Sequence, residues 1–75
     1  ALTAGDDGLD DIRTIIDQAK TRLQTGGWLL LEHGYDQAVD VRALLEAAGF
    51  ANVQSRQDLA GIERCSGGQW TAPDL

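Results

Sequence analysis

The sequence holds one cysteine, Cys65, and one histidine, His33, in 75 residues. An internal disulfide is therefore excluded, and so is the usual closed zinc site of four Cys or His ligands. A chain this short hides only about 60% of the surface its unfolded form exposes. Lacking both staples, it is either economically packed or part of something larger. Basic residues are also few: six stand against twelve acidic ones, for a net charge of −6. Lys20 and five scattered arginines do not form the cluster that neutralises phosphates, which argues against direct nucleic-acid binding and leaves no polybasic membrane patch. The longest apolar run, Trp28 to Leu31, is far short of a membrane span. No basic stretch precedes an apolar one at the start, so nothing reads as a signal peptide. The first residue, Ala1, is not Met and reads as processing or truncation. A soluble, cytoplasmic chain is the expectation.

The apolar content of 43% is ordinary for a globular domain. Leu9, Ile12, Ile15, Ile16, Ala19 and Leu23 recur at the offsets of one helix face. Asp6 or Asp7 is placed to cap this helix, with Asp10 and Asp11 in its first turn and Lys20 and Arg22 in its last, as the helix dipole favours. The early aspartates lack the order and closing Glu of a calcium loop. Gly26-Gly27 stops the helix, with Gly26 the left-handed residue. Trp28 to His33 then reads as a strand buried on both faces, because its apolar run does not alternate.

A second helix is expected from about Asp36 to Ala48, with Ala38, Val41, Leu45 and Ala48 inward, Val39 and Leu44 widening the stripe, and Gly49-Phe50 ending it. Asn52 to Arg56 and Ile62 to Ser66 read as short strands around a turn. Gly67-Gly68 and the end of the chain look frayed. The order is helix, buried strand, helix, strand, strand. A strand, a crossover helix and a further strand imply a right-handed βαβ unit in an α/β sheet, and the last two strands imply one antiparallel pairing. If those two pair with each other, the Trp28 strand keeps an open edge. The sequence thus reads as the end of a domain.

The run Gly26-Gly27-Trp28-Leu29-Leu30-Leu31-Glu32-His33-Gly34, followed by Gln37, is similar to the fifth strand and following turn of class I methyltransferases. Asp7-Gly8-Leu9, Ile15-Ile16, Gly49-Phe50 and Asp58 to Arg64 fall in the order and spacing of one branch of them. The chain most resembles the C-terminal part of the HemK/PrmC family, the protein-(glutamine-N5) methyltransferases of peptide-chain release factors, from about Leu2 to Gly68. The resemblance implies an α/β fold supplying strands 5, 6 and 7 of a seven-stranded sheet, one strand antiparallel, with residues 1–68 the methyltransferase segment and 69–75 a disordered tail. It implies S-adenosylmethionine as cofactor and a release factor as partner, methylated on the glutamine amide of a Gly-Gly-Gln loop. The family's glycine-rich cofactor turn and Asn-Pro-Pro-Tyr motif are absent here, since Pro73 is the single proline. No catalytic, cofactor-binding or metal residue is therefore assigned in this chain, and alone it is expected to be inactive, because methyl transfer depends on positioning.

Glu32 and His33 stand at the carboxyl end of a strand, where open α/β sheets build sites. A hydrogen-bonded strand end is the simpler reading of the pair, with Glu32 kept as the residue near the substrate groove of the parent enzyme. Gln37 orients the turn into the second helix. Asp58 and Arg64 read as an ion pair across the last turn, and Cys65 as a small buried hydrophobe. Trp28 is expected in the core, and Trp70 has no clear place. Two other readings stay open: a small acidic α/β interaction module, and the C-terminal part of another class I methyltransferase. The open edge further implies self-association of the isolated segment.

Overall fold

A computed structural model describes residues 9–71. Helix α1 spans Asp10–Arg22, strand β1 Trp28–Glu32, helix α2 Ala38–Ala47, strand β2 Phe50–Gln57 and strand β3 Glu63–Trp70. Asp6 and Asp7 lie outside the described residues. Leu9 takes the N-cap position of α1, with no side-chain cap. The helix carries Asp10 and Asp11 in its first turn and Lys20 and Arg22 in its last. It ends when Leu23 turns extended, at ψ 139°. Gly26 is left-handed as expected, at φ +92°. It does not stop the helix, however; it serves the following tight turn, where the Gly27 amide donates to Gln24 O at 2.8 Å. Gly49, at φ +98°, stands just past α2 and lets the chain reverse directly into β2.

The strand order is β1-β3-β2, and β3 is antiparallel to both neighbours. The expected antiparallel pairing of the last two strands is present. β1 and β2 consequently run the same way, with β3 between them, and α2 makes the crossover. The most apolar strand is thus an edge strand, and the glycine-containing β3 is the centre.

Leu9, Ile12, Ile16, Ala19, Leu31, Val41, Leu45 and Phe50 form one buried cluster, so the two helices cover one face of the sheet. This overturns the reading of Trp28 to His33 as a strand buried on both faces. Leu31 is buried and Leu29 half-buried, but Trp28 is 45% exposed and Leu30 66%. Trp28 is therefore not a core residue. Ile15 and Val39, placed on the inner stripes by spacing, are also exposed.

Strand β2 keeps its inner side by inserting a residue. Ala51 pairs with Gln69 and Gln54 with Gly67, so two residues of β2 oppose one of β3. Asn52 sits in this bulge at φ +53°, a left-handed value that Asn tolerates better than most residues. Strict alternation would put Phe50 and Ser55 on opposite faces; the extra residue lets both face the helices.

Strand β3 runs on through Gly67, Gly68, Gln69 and Trp70, which were expected to fray or to belong to the tail. Here glycine marks close approach. A Cβ on Gly68 would lie 3.0 Å from Phe50 Cβ, and one on Gly67 2.5 Å from Leu30 Cδ2. Trp70 packs on Phe50 with ring centroids 5.0 Å apart. Residues 72–75, the rest of the expected tail, lie outside the described residues.

Candidate functional site

The carboxyl end of β1 and the turn into α2 gather most of the chain's organised polar chemistry. His33 continues β1, its amide donating to Arg64 O at 3.0 Å. Its ring is held at both nitrogens. Nδ1 lies 2.8 Å from Gly34 O, and Nε2 lies 2.7 Å from Ser66 Oγ. Ser66, 1% exposed, is the one buried polar residue among those described. Its hydroxyl lies 2.6 Å from Ser55 Oγ, and Arg42 Nη1 of α2 donates to Ser55 Oγ at 2.5 Å. Arg42 also meets both carboxylate oxygens of Glu63 at 3.4 Å. Five side chains thus form one chain of contacts beneath the sheet, and no buried side-chain polar atom among the described residues is left unsatisfied.

Local sequence explains the turn above it. The Gly34 amide donates to Gln37 Oε1 at 2.8 Å, and the Gln37 amide donates back to Gly34 O at 3.0 Å. Gln37, the N-cap residue of α2, therefore orients the turn as the sequence implied. Glu32 and Tyr35 flank this locked segment and are exposed, Tyr35 by 68%. The Glu32 side chain makes no hydrogen bond or ion pair with the described residues.

Among the described residues, nothing covers the opposite face of the sheet. A cleft of about 250 Å³ lies there, lined by Trp28, Leu30, Gln54, Arg56, Cys65, Ser66 and Gly67. Cys65 is half-buried in this cleft rather than enclosed in the core. The imidazole of His33 bonds to the covered side, so the two are not a thiol–base pair.

Asp58 and Arg64 do pair, with Arg64 Nε 3.3 Å from Asp58 Oδ2. The stronger role of Asp58 lies within its own turn. Its Oδ1 accepts from the amides of Ala60 at 2.9 Å and Ile62 at 3.0 Å. The Ile62 amide is the main cause holding this carboxyl below its usual range; desolvation opposes it next, and the Ala60 amide and Arg64 add to the lowering.

Arg42, Ser55, Glu63 and Ser66 were not legible as functional residues. They belong to three elements, and His33 and Ser66 are 33 positions apart. The one available signal was a serine pair on consecutive strands, which the expected hairpin already set near each other. Among the described residues there is no group of three or more His, Cys, Asp or Glu able to hold a metal. None of the helices there is long and apolar enough to cross a membrane.

No protein-family model matches the chain. Curated proteins do. The release factor glutamine methyltransferase of Pseudomonas aeruginosa is 61% identical over 70 residues, covering 93% of this chain and 25% of the relative. That of Burkholderia pseudomallei is 62% identical over 69 residues, covering 92% and 24%. That of Coxiella burnetii is 55% identical over 64 residues, covering 85% and 23%. The chain is homologous to a segment of the release factor glutamine methyltransferases, the family its sequence resembles, and spans about a quarter of the length of the relatives it matches.

Proposed function

We propose that this chain is the C-terminal segment of an enzyme that methylates the side-chain amide nitrogen of a glutamine in peptide-chain release factors, with S-adenosylmethionine as the methyl donor. The observation that carries the reading is the identity of 61% and 62% with two release factor glutamine methyltransferases along almost the entire chain. The strand order supports it. A β1-β3-β2 sheet whose middle strand is antiparallel to both neighbours agrees with strands 5, 7 and 6 of a class I methyltransferase sheet. The same reading makes the enzyme cytoplasmic.

The residues present do not fit the methyl donor. At the carboxyl end of β1, the Gly34 amide is taken by Gln37, and both ring nitrogens of His33 are engaged. The donor therefore belongs to parts of the enzyme outside this segment, and so do the catalytic residues. What this segment contributes is a braced sheet end, with Glu32 exposed beside it as the residue near the substrate groove. The reading as a self-contained interaction module would need the bare face covered by the chain itself, and among the described residues nothing covers it.

The test is methylation of a purified release factor by the whole protein that contains this segment, read by peptide mass spectrometry. One methyl group on the glutamine of the Gly-Gly-Gln loop is the expected result, with none from the 75-residue chain alone. Transfer to another residue, or none by the whole protein, would overturn the reading.

A further inference from the structure

The hydrogen bonds around His33 have a direction that their chemistry fixes. The Gly34 carbonyl only accepts, so its partner, Nδ1, carries the ring proton. Nε2 of the neutral ring then has only a lone pair, and Ser66 must donate to it. With its proton committed, Ser66 can only accept from Ser55, and Ser55 in turn accepts from the Arg42 guanidinium. The order is Arg42 to Ser55 to Ser66 to His33 to Gly34, every link donating the same way. An apolar residue in place of buried Ser66 would be the simpler way to fill a core. A satisfied polar chain there specifies one geometry instead. The geometry it specifies is that of the Gly34 carbonyl, which also receives the Gln37 amide at 3.0 Å and so sets the β1–α2 turn.

On these grounds we propose that His33 is a positioning residue, held as its Nδ1–H tautomer by the Gly34 carbonyl and anchored through Nε2 by the Ser66 hydroxyl, and that it locks the Glu32–Tyr35 segment as a rigid contact surface for the protein substrate. The inference rests on the reading of the chain as part of a release factor methyltransferase. Glu32 and Tyr35 are exposed on either side of the locked residues, at the strand end where open α/β sheets place ligands. A surface held by its own internal bonds loses less freedom on binding than a mobile loop does.

The experiment uses the whole protein, labelled with ¹⁵N-histidine, and its Ser66→Ala, Ser66→Thr and Ser55→Ala variants. Long-range ¹H–¹⁵N spectra, with the His33 signals assigned by their loss in His33→Gln, should show Nδ1 protonated and Nε2 bare at a pH where the ring is neutral. In Ser66→Ala the Gly34 carbonyl still keeps the proton on Nδ1, but the Nε2 signal should shift as its hydrogen bond is lost. The affinity for an unmethylated release factor, measured by calorimetry, should fall about five- to tenfold, the factor an ordinary hydrogen bond is worth. KM should rise with it while kcat stays within about twofold, since only uniform binding is removed. Ser66→Thr keeps the hydroxyl and should restore both. Ser55→Ala leaves the Ser66–His33 link in place and should show a smaller loss, which keeps the test available if Ser66→Ala does not fold. An Nε2–H ring in the unsubstituted protein, or unchanged affinity in a folded variant that has lost the Ser66–Nε2 hydrogen bond, would overturn the inference. If the whole protein binds the release factor but transfers no methyl group, the enzymatic reading fails, and the affinities still decide this one.

Discussion

Leu30 fills the space that a side chain on Gly67 would need. The two residues face each other across β1 and β3, and a Cβ at position 67 would lie 2.5 Å from both Leu30 Cδ2 and Leu29 O. The carbonyl contact is with backbone and cannot rotate away. Gly67→Ala must therefore push the central strand from its neighbour, at a cost of about 1–3 kcal/mol. Urea unfolding should show a lower midpoint with an unchanged slope. An unchanged midpoint would mean that β1 and β3 do not pair this closely in solution.

Both helices were legible because their apolar spacing is long enough to set a face, and Val41 and Leu45 are completely buried as that spacing requires. The strands were harder. A run of apolar residues in β1 signalled burial on both faces, but burial depends on what lies on the far side, and no local pattern carries that. In β3, two glycines suggested fraying when they mark close approach by Leu30, Phe50 and Val53. The strand end itself was legible at Glu32, His33 and Gln37, and the Asp58–Arg64 pair at its turn. Its support was not, because Arg42, Ser55 and Ser66 meet His33 only through the pairing of three elements.

Leu45→Ala should remove about 2–5 kcal/mol, the range for cutting back a fully buried leucine. A single core in a chain below about 80 residues rarely supplies more than about 3–5 kcal/mol. The variant of the 75-residue chain is therefore expected to be largely unfolded at room temperature. Circular dichroism and a proton spectrum check this directly, and a folded variant with native dispersion would show that the cluster is not the main source of stability.

Asn52 offers a sharper backbone test. Its φ of +53° would cost a β-branched residue about 1–2 kcal/mol, and its side-chain amide donates to Gln69 Oε1 at 2.9 Å. Asn52→Val should lose both contributions, whereas Asn52→Gly relieves the backbone and loses only the hydrogen bond. Val is expected to be the less stable of the two by thermal melting. The reverse order would mean that the bulge is not retained.

The Asp58 turn sets an acid dependence. The ordinary carboxyl value is 3.8, and the folded group titrates below it, chiefly because the Ile62 amide donates to its charged form. The unfolded chain then binds more protons across the interval between the two values, so stability rises with pH through it. The contribution is complete above about pH 4 and is lost as pH falls through the folded value. A carbon-detected titration of the carboxyl group, with the Ile62 amide shift moving in step, should show the lowered midpoint. In Asp58→Asn this part of the acid limb should disappear, and its persistence would assign it to another carboxylate.

The bare sheet face gives a test that separates this segment from the larger enzyme proposed for it. Leu30 is 66% exposed beside Trp28, and the outer edge of β1 has no partner strand among the described residues. A Lys at position 30 can lay its methylenes over Gly67 and keep its charge in water. Within the 75-residue chain, Leu30→Lys should change stability by no more than about 0.5 kcal/mol, as surface substitutions do. It should also weaken self-association through the open edge, as edge lysines do, seen as less concentration dependence in sedimentation. In the whole protein the same substitution would bury a charge wherever another element covers this face, and the loss should reach several kcal/mol. Equal small effects in both would show that the face stays open to water, and a covering layer supplied by the rest of the enzyme would have to be abandoned.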